Sequence, residues 1–126
     1  MRISECPVRP AIDVIEGKWK PMVVHALKAG ALRFGQLRRH APEATRKVIT
    51  EQLRELEEDG IISRKAFGQR WERVEYELTT YGRTLVPILT LMAKWGKKHK
   101  KLMDPKETRE LASHPNVGPE RRAPNA

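Results

Sequence analysis

Apolar residues recur first at helical spacing and then at strand spacing, and the change of period divides the chain. Val8, Ala11, Ile12 and Ile15 follow i, i+3, i+4, i+7, the stripe of an amphipathic helix, and Gly17 is a plausible stop. Trp19, Val23, Ala26 and Leu27 repeat the pattern and predict a second helix over 18–28. Pro21 falls in its first turn, where a missing N–H matters little, and Gly30 ends it. Residues 32–34 are long enough only for a very short strand. Phe34–His40 reads as a short helix with Phe34 and Leu37 inward, broken by Ala41-Pro42. Thr45 is a good N-cap for the next helix, over 45–59. Ile49, Leu53 and Leu56 form its buried stripe, and Gly60 supplies a left-handed C-cap.

From residue 61 the period shortens. Residues 61–67 are strand-like, and Val74, Tyr76 and Leu78 alternate with Arg73, Glu75 and Glu77, the pattern of a half-buried strand. Residues 68–72 then form a hairpin tip. Thr79 or Thr80 caps a long last helix with Tyr81, Leu85, Ile88, Leu89, Met92 and Trp95 on one face, which Pro87 should kink or divide. Helices joined by a tight turn and followed by a two-stranded wing predict a mainly α fold with a small β-hairpin, a winged helix-turn-helix. The helix over 45–59 is then the recognition helix. Residues 1–103 make up this domain. Residues 104–126, with Pro105, Pro115, Gly118, Pro119 and Pro124, read as a flexible tail holding at most a helical turn over 106–112.

Composition narrows the functional classes. A chain of 126 residues accommodates one ordinary domain. Its longest apolar stretch free of charge, residues 84–93, is about half of what a bilayer span needs, and residues 1–10 lack the apolar run of a secretory signal. The expected location is cytoplasmic, away from any membrane. Cys6 is the single cysteine, which excludes an internal disulfide and a cysteine-based zinc site. His25, His40, His99 and His114 lack metal-ligand spacing, and no nucleophile-elbow, phosphate-loop or dinucleotide motif occurs. Neither catalysis, nor a metal, nor a cofactor is expected. The net charge of +9 points to a polyanionic partner, and because residues 104–126 are neutral all of it belongs to the domain.

Seven cations and only two acids lie between Lys28 and Arg54. With Ile49 toward the core, steps of 100° put Lys47, Glu51 and Arg54 opposite it and Thr50 on the flank, with Arg46 in the first turn. Cations at a helix N-terminus oppose the macrodipole, but they suit a helix that enters a DNA groove by that end. Arg46 and Lys47 would meet base edges or phosphates there. Arg70 and Arg73 on the wing could enter the minor groove or clamp phosphates, and Arg38 and Arg39 suit the backbone. Gln36 and Thr45 complete the candidate set. Trp71 either packs under the wing or touches DNA. The lysines at 94–101 are either an extra DNA contact or a solvated helix end favoured by the dipole. The competing function is a winged helix docking on protein or RNA, separable by salt dependence and sequence preference.

Several motifs, in order and spacing, carry a family resemblance. Gly17-Lys18-Trp19-Lys20, Arg33-Phe34-Gly35-Gln36-Leu37-Arg38-Arg39, Gln52-Leu53-Arg54-Glu55-Leu56-Glu57-Glu58-Asp59-Gly60 and Arg73-Val74-Glu75-Tyr76-Glu77-Leu78-Thr79 with Gly82 are similar to HxlR-type winged-helix transcriptional regulators, relatives of the MarR group. The Cys6-Pro7-Val8 opening and Pro87 with Trp95-Gly96 also match, so the resemblance covers about residues 5–97. It implies a homodimeric repressor or activator on double-stranded DNA, dimerising through its first and last helices. Val8, Ile12 and Ile15, with Leu85, Ile88, Leu89, Met92 and Trp95, would form that interface; these stripes are longer than a small three-helix core requires. Such a dimer sets two recognition helices roughly 34 Å apart on an inverted repeat. The resemblance also implies that Cys6 senses an electrophile or oxidant. It stands before a helix start near Arg2 and Arg9, a setting that favours a reactive thiol, and the alternative is a purely structural cysteine. The family often has a Pro-Pro pair where Trp71-Glu72 stand here, so the resemblance carries over least well to the wing.

Overall fold

Local sequence rules account for most of the observed elements. The computed structural model describes residues 2–68 and 73–104. After a 3-10 turn, Ile3–Glu5, come α1 (Val8–Ile15), α2 (Lys20–Ala26) with a 3-10 extension Leu27–Ala29, β1 (Leu32–Arg33), α3 (Phe34–His40), α4 (Arg46–Glu58), β2 (Ile62–Phe67), β3 (Arg73–Leu78), α5 (Thr80–Arg83) and α6 (Val86–Leu102). The last predicted helix is divided. Its break precedes Pro87, which occupies the first turn of α6, where no intrahelical N–H bond is lost. No described helix is long and apolar enough to cross a membrane.

Residue contacts group the chain into two units, 1–89 and 90–126. The core of the first is built from Val23 and Val24 of α2, Leu27 of its 3-10 extension, Leu37 of α3, Ile49, Leu53 and Leu56 of α4, Ile61, Ile62 and Leu78 in and beside the sheet, and Leu89 of α6. The three apolar positions expected on α4 are all buried. Leu89, expected on the dimerising stripe, instead packs into this core, and Leu85 packs partly against it. The physical reason is the break before α6: two helices replace one, so one face no longer runs from Tyr81 to Trp95. In the second unit the described residues are the remainder of α6 and the two residues after it.

The wing is wider than a hairpin. Its antiparallel sheet has the order β1-β3-β2, with Ile62 opposite Leu78, Arg64 opposite Tyr76, and Leu32 opposite Tyr76 on the other edge. The short strand thus forms by pairing with β3, a partner more than forty residues away that local pattern cannot reveal. Of the expected hairpin tip at 68–72, residues 69–72 with Arg70 and Trp71 lie outside the described residues, as does all of the expected tail at 104–126 but Asp104.

Candidate nucleic-acid interface

Capping holds α4 at both ends. Thr45 Oγ1 accepts the Val48 N–H at 3.1 Å, while Gly60, at φ 75°, takes the left-handed conformation after the last turn. The Ile61 N–H then returns to Leu56 O at 2.9 Å. Across α4 from Ile49 and Leu56, Lys47, Thr50, Glu51 and Arg54 are exposed at i, i+3, i+4, i+7. They form one outward row about 10 Å long. Thr50 Oγ1 donates to Arg46 O at 2.8 Å, so its lone pairs face outward as acceptors.

Two contacts that sequence reasoning missed brace this helix from behind. The Trp19 N–H donates to Gln52 Oε1 at 3.0 Å, and Lys20 Nζ to Glu55 Oε2 at 2.6 Å. Lys20 is 3% exposed, the single buried charged residue among those described. Its position was legible: it lies three, four and seven residues before Val23, Val24 and Leu27, on the inward stripe of α2. A partner for a lysine there is a physical necessity. Glu55, in contrast, lies in a run with Glu57, Glu58 and Asp59 in which the sequence singles out no one carboxylate.

The remaining candidate residues divide by what they touch. Arg46 is exposed, but its guanidinium lies 4.9 Å from the Phe34 ring centroid, tying α4 to the start of α3. It therefore stands beside the outward row. Arg38, expected on the DNA backbone, is half-buried; its Nη2 donates to Ala44 O at 3.1 Å and its Nε is buried with no partner among the described residues. It positions the turn between α3 and α4. Gln36 Oε1 accepts the Arg33 N–H at 2.8 Å, so part of its side chain caps α3. Arg39 is exposed and lines an open cleft with Arg33, Gly35 and Gln36. On the wing, Arg73 Nε lies 3.1 Å from Glu75 Oε2 and its guanidinium 5.2 Å from the Phe67 ring centroid. Between α4 and the wing is an open cleft of about 320 Å³ lined by Thr50, Arg54, Glu57, Arg64 and Tyr76.

Cys6 is half-buried one residue before the cap of α1. Its carbonyl accepts the Arg9 N–H at 2.9 Å, and the Arg9 side chain pairs with Asp13 at 3.2 Å. Helix α1 has no buried residue; Val8 and Ile12 are exposed and Ile15 half-buried. On α6, Ile88, Leu91, Met92 and Trp95 make an exposed apolar row at i, i+3, i+4, i+7. Leu91 had not been expected there. Trp95 stacks on His99 with ring centroids 5.0 Å apart. Among the described residues no group of His, Cys, Asp or Glu could hold a metal ion.

A capped helix with an exposed polar row, presented beside a three-stranded wing, defines the class of winged helix-turn-helix proteins. The HxlR-like helix-turn-helix model matches residues 14–104, and the chain belongs to that family. It is 43% identical over 107 residues to the HTH-type transcriptional regulator YdeP of Bacillus subtilis, covering 85% of this chain and 84% of that one. Among solved structures it is similar to the redox regulator HypR in its reduced form, with TM-score 0.74 and 42% identity over 79% of this chain and 98% of that chain. The quinone-bound YodB of B. subtilis aligns with TM-score 0.63 and 28% identity over 74% and 98%. This is a DNA-binding protein of the HxlR/MarR winged-helix type, in a family of regulators rather than enzymes.

Proposed function

We propose that the chain binds an inverted-repeat operator as a homodimer, each copy laying the outward row of α4 in the major groove. The observation that carries this is the row itself: Lys47, Thr50, Glu51 and Arg54 are exposed on the face opposite the core of a helix braced at both ends and from behind. A lysine or arginine can pair with guanine, glutamate accepts from cytosine N4, and threonine meets either a polar edge or the thymine methyl. The exposed apolar rows of α1 and α6 are the surfaces a second copy would cover. Arg39 and the wing suit the phosphate backbone, and a cytoplasmic location accords with this role.

Selection of duplexes from a random pool tests the reading. An enriched inverted repeat with half-sites one helical turn apart is expected, bound at least ~10³-fold tighter than random duplex. No sequence preference with a flat salt response would favour docking on protein or RNA instead. Arg54→Ala is expected to lose about 1–3 kcal/mol on the operator and to relax preference at one base pair per half-site. Arg46→Ala, whose side chain rests on Phe34, should weaken operator and random duplex by similar factors. Loss of base preference in Arg46→Ala alone would move the reading residue to the first turn.

Cys6 is the candidate sensor in this reading. HypR is named a redox regulator and YodB has a quinone-bound form, which supports a thiol switch here. With Cys6 the single cysteine, the routes are alkylation by an electrophile or a bridge between the two Cys6 thiols of a dimer under an oxidant. On quinone treatment the native chain is expected to release operator DNA while Cys6→Ser retains it. Equal release by both would remove Cys6 from the switch.

A further inference from the structure

More than half of the positive charge lies away from the recognition helix. Helix α4 holds three cations and four acids, whereas α6 holds five lysines and no acid, five of the nine net charges. Lys94, Lys97, Lys98 and Lys101 are all exposed, at i, i+3, i+4, i+7, so they form a single-sign stripe on one side of the helix. No described residue forms an ion pair with any of them. Like charges at i, i+4 weaken a helix, and the stripe contains two such pairs, Lys94 with Lys98 and Lys97 with Lys101. The helix dipole favours cations only within the last turn, which accounts for Lys100 and Lys101 and leaves the other three unexplained.

We infer that this stripe is a second, sequence-independent contact to the phosphate backbone of duplex DNA. It rests on the proposal above that the protein's ligand is a duplex. The stripe runs about 10 Å along the helix axis, and that length of B-DNA carries about three phosphates per strand, so spacing and sign both match. A membrane surface fits less well. A helix lying on lipid needs apolar and basic faces over the same length, but here the exposed apolar row occupies 88–95 and the lysines 94–101. The division of labour follows from the charges: α4, negative on balance, selects a sequence, while α6 supplies attraction to any duplex.

The full chain and its Lys94→Gln, Lys97→Gln, Lys98→Gln, Lys101→Gln quadruple variant are compared on an operator duplex and a random duplex over a range of salt. All four positions are exposed, and circular dichroism checks that the fold is retained. The salt slope of log affinity is expected to fall by about three to four per chain. Affinity should drop by the same factor on both duplexes, roughly tenfold or more near 0.1 M salt, leaving the operator-to-random ratio unchanged. The four-arginine counterpart should keep the native slope. An unchanged slope in the glutamine variant overturns the inference, as does a loss confined to the operator. Binding to phosphatidylglycerol vesicles that disappears in the variant, with DNA binding intact, would assign the stripe to lipid. A native chain that binds duplex steeply with salt but without operator preference, and loses that slope in the variant, leaves the stripe standing and sinks the operator reading.

Discussion

Gly82→Ala is expected to lower stability by about 3 kcal/mol or more, a large share of the 5–15 kcal/mol that holds a domain of this size together. A β-carbon built at Gly82 would stand 1.9 Å from the carbonyl oxygen of Ile61. That neighbour is backbone, so no rotamer change relieves the overlap. The carbonyl is also committed: it accepts the Thr79 N–H at 3.0 Å. Thr79 Oγ1 donates to Gly60 O at 2.6 Å and accepts the Gly82 N–H at 2.8 Å. Three segments meet here: the end of α4, the start of β2 and the entry to α5. Any added side chain must force the first turn of α5 off the end of the recognition helix. Urea denaturation compares the midpoints; a change within ~0.5 kcal/mol would show that the joint is not closed.

Glu55→Ala should destabilise by about 2–3 kcal/mol, because it leaves the Lys20 ammonium buried without its partner. The effect is asymmetric. Glu55 is half exposed and Lys20 buried, so removing the lysine strands nothing, and Lys20→Met should cost about 1 kcal/mol or less. The double variant should then be more stable than Glu55→Ala alone, a non-additivity that a double-mutant cycle reads directly. Equal losses in the two single variants would mean that solvent reaches Lys20. The pair also bears on function, since Lys20 and the Trp19 N–H hold the back of α4 while its front faces outward.

Helix stripes, caps and breaks were legible because each depends on residues within one or two turns. Thr45, Gly60 and the burial of Ile49, Leu53 and Leu56 follow from that local logic. So does the outward row, which is the complement of the buried stripe. Choosing among its cations was harder. Arg46 and Lys47 are sequence neighbours at the same helix end, and only the Phe34 ring separates them. Arg38 and Arg39 divide in the same way: one is drawn inward by a turn carbonyl, the other stays exposed.

Periodicity and capping residues by themselves determined the helices, the two hairpin strands and the outward face of α4, since these are written at spacings of two to seven residues, and the ordered motifs carried the likeness to the family. Tertiary structure alone decided the third strand of the sheet, the pairing of Lys20 with Glu55, the close approach at Gly82 and the inward turn of Leu89. Each of these joins groups distant in sequence, or depends on where a helix breaks. A one-dimensional pattern records which side of an element faces inward, but not which atom waits on the other side.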